Sequence, residues 1–360
     1  MANRLTELEK QLADLQKNPP DQYRFAMSVK DVEQPTDGHL HIRGEARNLG
    51  PIIPRGFLTV ATQPDASPLT IASNESGRLQ LAHWIASENN PLTARVYVNR
   101  VWHHLFGRGL VATPDNFGST GASPSHPELL DMLAYQFMRN GWSTKDLIRR
   151  IMHSRVYRLS SERDPEKIVV DPRNELRWRA DRRAVEAEVY RDAMLDIAGN
   201  LDYAAGGSSI TAFSTYDWGY DFGNFSRRSV YAPLFRNVLL EIFEVFDIAN
   251  PNLVTGARNN GTLPTQSLFL MNDPFVVHQA YDAAERLLER HTPSSGLATN
   301  EESVVWLYRR ILGRGPTESE RKLAIEYLEG MPMASDQQRR EAWGSLIHML
   351  FASIDFRYLK

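Results

Sequence analysis

The sequence predicts a mainly α-helical protein: a multi-helix bundle with two similar helical units, a small N-terminal β-hairpin and a long aromatic loop. Three observations predict it. A motif is written twice, as Val98-Asn99-Arg100-Val101-Trp102-His103-His104-Leu105-Phe106-Gly107-Arg108-Gly109 and as Val304 through Gly315. Each copy ends an apolar helix in Gly-Arg-Gly, with an aromatic five residues before the first glycine (Trp102, Tyr308). Each is then followed by an amphipathic stretch closing on Ser-x-x-aromatic-Arg, at Ser154–Arg158 and Ser353–Arg357. Second, helix starts and stops recur from residue 77 onward. Third, alternation of apolar and polar residues is confined to the first fifty positions.

Residues 1–20 form an N-terminal element. Leu5, Leu8, Leu12 and Leu15 recur at 3-4-3 spacing, two heptads of a coiled-coil seam, and Asn18-Pro19-Pro20 ends it. Two heptads are too short to stand alone, so this is the tail of a longer helix or a helix docked on the body. Residues 21–76 are a β-hairpin and connector. Segments 23–31 and 38–46 alternate around Pro35-Thr36-Asp37-Gly38, which reads as the turn. Residues 77–360 are the helical domain, with units at about 92–160 and 300–360. Helices are predicted over 77–87, 92–106, 126–140, 143–154, 184–199, 264–271, 274–291, 300–312, 317–329 and 337–352. Pro127 and Pro274 suit first-turn positions and Ser143 an N-cap. The aromatic loop, 202–235, packs on the bundle.

Gly107-Arg108-Gly109 and Gly313-Arg314-Gly315 read as helix C-caps. Glycine takes the left-handed conformation cheaply, and arginine complements the helix C-terminal dipole. They are not phosphate loops, because no Gly-x-x-x-x-Gly-Lys-Ser/Thr pattern and no preceding strand is present. Ser154 and Ser353 lack the context of a nucleophile.

Composition sets bounds. The absence of cysteine excludes disulfides, thiolate metal sites and cysteine nucleophiles within these residues. A net charge of −3 gives no general pull toward nucleic acid, and no apolar run is long enough to span a bilayer. The opening residues do not read as a signal peptide. The chain also reads as a piece of a longer protein, and then its start says nothing of localisation. Seven of the 41 basic residues are lysine and the rest arginine, a skew toward the planar fork that suits carboxylate, phosphate or sulfate.

Several segments together resemble a planctomycete-specific domain of unknown function, found at the C-terminal end of large envelope proteins with upstream cytochrome-c-like domains. The text that carries the resemblance is Asn89 through Val96 and the first repeated motif, then Thr113-Pro114-Asp115-Asn116-Phe117-Gly118 and His126-Pro127-Glu128-Leu129-Leu130. Arg227-Arg228-Ser229-Val230-Tyr231, Phe246 through Pro251, Pro264-Thr265-Gln266-Ser267-Leu268 and Asn272 through Val276 continue it. Ile42-Arg43-Gly44 and Pro54-Arg55-Gly56-Phe57 look like the region that precedes this domain. The resemblance implies a module of an exported, cytochrome-linked protein, located in the cell envelope or a periplasm-like compartment. It implies no catalytic residues and, with the cytochrome-like part absent, no cofactor in this chain. The parent chain's upstream domains are implied partners.

No catalytic signature stands out, and the expectation leans away from an enzyme. The favoured expectation is a non-catalytic binding or assembly module presenting an aromatic and arginine surface to a glycan or a protein. Trp218, Tyr220 and Phe222 would stack on the ligand, and Arg227, Arg228 and Arg258 would meet its charge. The alternative is an enzyme acting on polysaccharide, with catalytic candidates Asp115, His103, His104, Asp217 and Asp221. A second alternative is a metal-binding or electron-transfer accessory, with His39 and His41 on one strand as ligands.

Overall fold

The computed structural model describes residues 28–62, 69–207, 225–236, 239–258, 261–290 and 299–359, together with scattered positions between 4 and 17. The described residues are mainly helical, with a two-stranded antiparallel hairpin near the N-terminus. The chain divides into one compact unit over Met1–Thr93 and another over Ala94–Lys360.

In the N-terminal unit, Arg4, Glu7, Leu8, Lys10, Leu12, Ala13 and Lys17 are helical. Strand β1 (Gly38–His41) pairs antiparallel with β2 (Leu49–Ile53), with a bulge between His39 and His41. The hairpin is therefore shifted from its predicted position: its turn runs through Arg43 and Gly44, both at positive φ, not through Pro35–Gly38. The reason is local chemistry. Asp37 does not turn the chain; its carboxylate accepts the Arg55 backbone N–H at 3.2 Å and Arg55 Nε at 2.9 Å, clamping the two outer ends of the hairpin. Helix α1 (Arg78–Ile85) follows, with Trp84 stacked on Phe57 at 5.0 Å. Asn90 opens the next helix, its carboxamide oxygen accepting from the Leu92 and Thr93 N–H groups.

The larger unit contains both repeated modules. The first is α2 (Thr93–Phe106), α3 (Pro127–Arg139) and α4 (Thr144–His153), closed by a 3-10 turn at Val156–Arg158. After α5 (Pro165–Val170) and strand β3 (Arg183–Ala184) come α6 (Ala187–Ala198), α7 (Glu241–Val245), α8 (Pro264–Asn272) and α9 (Pro274–Glu289). The second module is α10 (Asn300–Leu312), α11 (Glu318–Glu329), α12 (Asp336–Ala352) and α13 (Ile354–Arg357). Strand β4 (Tyr358–Leu359) then pairs with β3.

The modules match down to their caps. Gly107 and Gly313 follow α2 and α10 at φ 79° and 68°, as a C-cap glycine should. Trp102 and Tyr308 are both buried. Ser154 and Ser353 end α4 and α12 at nearly the same dihedrals, φ −67°, ψ 153° and φ −70°, ψ 152°. Each hydroxyl donates to the carbonyl three residues back, at Ile151 and Leu350.

Each module has its own core. Val98, Trp102, Leu110, Leu130, Phe137 and Ile151 fill the first. The second is larger and draws Tyr190, Met194, Phe243, Leu270, Leu307, Trp343, Ile347 and Phe351 together; each fully buried aliphatic or aromatic side chain there contributes about 1.5–3 kcal/mol. α9 and α12 pack along each other at its centre. Gly344 permits this: a Cβ there would sit 3.0 Å from the Tyr281 ring. The Tyr190 hydroxyl donates to the Phe351 carbonyl at 2.6 Å, and burial pushes its pKa up. Short α5 and α7 and the β3–β4 pair carry no periodic signal, because each is held by tertiary partners.

Candidate arginine and histidine groove

Four of the residues that open the site come from α2 and its cap. Arg100, His103 and His104 fall at i, i+3 and i+4, so they share one helix face, and Arg108 follows the left-handed Gly107 just past the helix end. At about 1.5 Å per residue the three helical positions span roughly 6 Å. Facing them are Asp181, Arg182 and Arg183 leading into β3, Glu186 at the start of α6, the 254–258 segment with Arg258, and Tyr358 on β4. Together they line a groove of about 840 Å³.

The cap holds the groove in shape. Arg183 lies across Gly107, where a Cβ would meet its Cδ at 2.8 Å, and its Nη1 donates to the His104 carbonyl at 2.7 Å. An arginine from β3 thus satisfies a carbonyl that α2 leaves open at its C-terminus. Gly109 and Asn99 hold the chain beyond. The buried Asn99 carboxamide donates to the Val111 carbonyl at 3.0 Å and accepts the Val111 N–H at 2.8 Å. A Cβ on Gly109 would meet the Val111 oxygen at 2.5 Å.

Charge in the groove is unevenly balanced. Arg108 pairs with Glu175 at 3.2 Å. Arg258 makes a two-pronged bond to Glu188, at 2.6 and 2.8 Å, with Glu186 at 3.8 Å. Burial would raise the Glu188 carboxyl, but its Arg258 bonds outweigh that and hold it below the ordinary glutamate value. Asp181 is taken up by Arg177 at 2.9 Å and Arg179 at 3.4 Å. Among the described residues, Arg100 and Arg182 are exposed and face no carboxylate at ion-pair distance. His103 is half-buried; burial, then His104, pull its pKa down against an upward pull from Glu186, with a smaller downward push from Arg183.

Behind the groove lies a cavity of about 30 Å³ that shares Glu186, Arg258 and Tyr358 with it. Its buried wall includes Arg357, which donates to the side chains of Gln266 and Ser267. Gln266 also donates to the carbonyls of Val245 and Gly261. The Pro264–Leu268 text thus ties the closing arginine of the second module to the chain that borders the groove.

Of the residues predicted from sequence, the groove gathers His103, His104 and Arg258. Arg258, which the sequence offers to a ligand's charge, is paired with Glu188. Asp115 is exposed in the Thr113–Gly118 turn, packed against Gly256, and does not line the groove. Neither imidazole is hydrogen-bonded to a carboxylate among the described residues. Arg227 and Arg228 lie elsewhere: Arg227 stacks on Tyr231 at 4.3 Å and donates to the Ala204 carbonyl at 3.2 Å and to that of Gly206. His39 is engaged by the Gly50 carbonyl at 2.8 Å, and no group of three or more His, Asp or Glu is placed to hold a metal ion among the described residues. Asp217, Trp218, Tyr220, Asp221 and Phe222 lie outside the described residues.

Sequence reasoning missed Arg100, Arg182 and Arg183. The spacing of Arg100 with His103 and His104 on a predicted helix was the available signal.

The family described as PSD1, a protein of unknown function (DUF1553), matches residues 77–328. The chain belongs to this family. The match takes in α2 with its cap, β3, α6 and the 254–258 segment, so most of the groove is built from PSD1 sequence. No curated protein and no solved structure matches the chain. No helix among the described residues is long and apolar enough to cross a membrane.

Proposed function

We propose that this PSD1 chain is a binding module that takes a linear polyanion, an acidic glycan, in the arginine and histidine groove. The observation that carries it is the charge of Arg100 and Arg182, uncompensated among the described residues, in a groove lined by five arginines on a chain whose net charge is −3. Exposed cations without counter-ions repel one another, and a ligand that neutralises them is favoured. Their placement on two different elements of one open groove, Arg100 on α2 and Arg182 ahead of β3, suits repeated charges better than a single small anion. Arginine forks engage carboxylate or sulfate two oxygens at a time. In this reading the module belongs to a larger envelope protein, the setting its resemblance implies, and Trp218, Tyr220 and Phe222 remain its candidates for stacking on sugar rings.

The test is calorimetric binding of polygalacturonate, heparin and neutral dextran across salt concentrations. Acidic polymers should bind with a steep salt dependence and dextran should not. Arg100→Ser with Arg182→Ser should weaken binding and flatten the slope of log affinity against log salt by about 0.7 per lost contact, as for other flexible polyanions. Equal binding of dextran, or a double variant that binds heparin as the parent does, rejects the groove reading. Release of reducing ends during the titration would instead support a hydrolase.

A further inference from the structure

We infer that His103, beside His104 in the groove, makes occupancy of the groove acid-dependent, so that the polyanion is held more tightly as the His103 imidazole gains a proton. The inference rests on the groove being the polyanion site. Its ground is geometric. The two rings are adjacent on α2, 5.6 Å apart and edge-on at 73°, and both line the groove. Neither ring is hydrogen-bonded to a side chain among the described residues, so their N–H groups are available to a ligand. Arg183 reaches only the backbone carbonyl of His104.

The groups lining the groove with them come from every surrounding element: Arg100 and Arg108 from α2 and its cap, Asp181, Arg182 and Arg183 from the β3 segment, Glu186 from the start of α6, Arg258 from the 254–258 segment and Tyr358 from β4. Cations predominate. In the empty groove a proton on His103 is opposed by burial, by His104 and by Arg183, with only Glu186 in its favour. A carboxylate or sulfate chain reverses that field, because its charges compensate the arginines and attract the imidazolium directly. The bound protein therefore holds its protons to higher pH than the free protein. By linkage, binding takes up protons and affinity rises as pH falls through the histidine range.

Heparin is the probe, because its sulfates stay ionised throughout. Binding is measured by calorimetry at pH 8 and pH 5.5, in paired buffers of different ionisation enthalpy so that protons taken up are counted directly. Each pKa unit by which the ligand raises a histidine strengthens binding about tenfold at the lower pH. The parent protein should therefore bind about tenfold more tightly at pH 5.5, with net proton uptake near neutrality. In His103→Gln with His104→Gln the ratio of the two affinities should fall toward one. Tight heparin binding with no proton uptake and no pH dependence overturns the inference and leaves the groove reading standing. So does an unchanged ratio in the double variant. Absence of heparin binding at either pH removes both.

Discussion

Asn99 offers the sharpest test of how the groove wall is built. Its carboxamide acts as a one-residue strand partner, exchanging both backbone bonds with Val111, and both residues are buried. In Asn99→Ala, the Val111 N–H and carbonyl lose their partner where water cannot replace it. A buried polar group left unpaired costs about 1–3 kcal/mol, so two of them predict a loss of about 2–6 kcal/mol. A small cavity adds to this. The expected change in unfolding free energy is therefore about 3–7 kcal/mol, a large share of the stability of an ordinary domain. Urea unfolding measures the total, and amide exchange at Val111 measures it locally, where about 3 kcal/mol corresponds to roughly a hundredfold faster exchange. Gly109→Ala gives the control. Its methyl would intrude on the same pair of bonds, so its cost and that of Asn99→Ala should sum to more than the double variant loses. A loss under 1 kcal/mol for Asn99→Ala, or strict additivity, would show that the carboxamide does not hold this segment.

Two further outcomes follow from the paired modules. Gly107→Ala and Gly313→Ala both force alanine into the left-handed region, at a cost of about 1 kcal/mol. Only Gly107→Ala must also displace Arg183 from the end of α2, since Gly313 has open space around it; thermal denaturation should show the larger loss for Gly107→Ala. The counterpart of Arg108 in the second module, Arg314, binds Glu320 at 2.7 Å through Nη1 and also reaches Asp355 through a shared Nη2, and the Arg314 bonds hold the Glu320 carboxyl down at about 2. A depressed carboxylate stabilises the fold above its unfolded pKa and stops doing so as pH falls through the folded one. Arg314→Met should therefore cost most at neutral pH, about 1–2 kcal/mol after discounting for solvent screening. The gap to the parent should close between about pH 4.5 and pH 2 in urea titrations, and a gap that does not change with pH would contradict the pairing.

Much of the fold was legible because helix caps are local. Ser143 accepts the Asp146 N–H, Thr317 and Ser335 close capping boxes, and Pro127, Pro264 and Pro274 open helices where an N–H is not required. These devices depend on residues three or four apart, and they fixed most helix boundaries to within a few residues. The hairpin was misplaced because Pro-Thr-Asp-Gly carries turn chemistry whether or not it turns the strand. What Asp37 does there depends on Arg55, eighteen residues away. The groove was half legible for the same reason. Arg100, His103 and His104 share a helix face that spacing reveals. The opposite wall, with Arg182, Arg183, Glu186 and Arg258, reaches it through the pairing of residues 183–184 with 358–359, which no local pattern announces.

Gly-Arg-Gly also ends differently in the two modules. Each motif leaves a helix C-terminus with open carbonyls and an arginine beside it. In the second module Arg314 folds back onto Glu320 and Asp355 of its own module. The cap is electrically closed, with open space around Gly313. In the first, Arg108 turns to Glu175, and Arg177 donates to the Arg108 carbonyl at 2.8 Å, while Arg183 covers Gly107. The first cap is thus closed by chain from outside its module, chain that continues through Asp181, Arg182 and Arg183 into β3. A repeated unit that stayed self-contained would have had no reason to gather arginines there. The cap closed by a neighbouring segment is the one that lines the groove, and Arg100 and Arg182 face outward there with no carboxylate at ion-pair distance among the described residues.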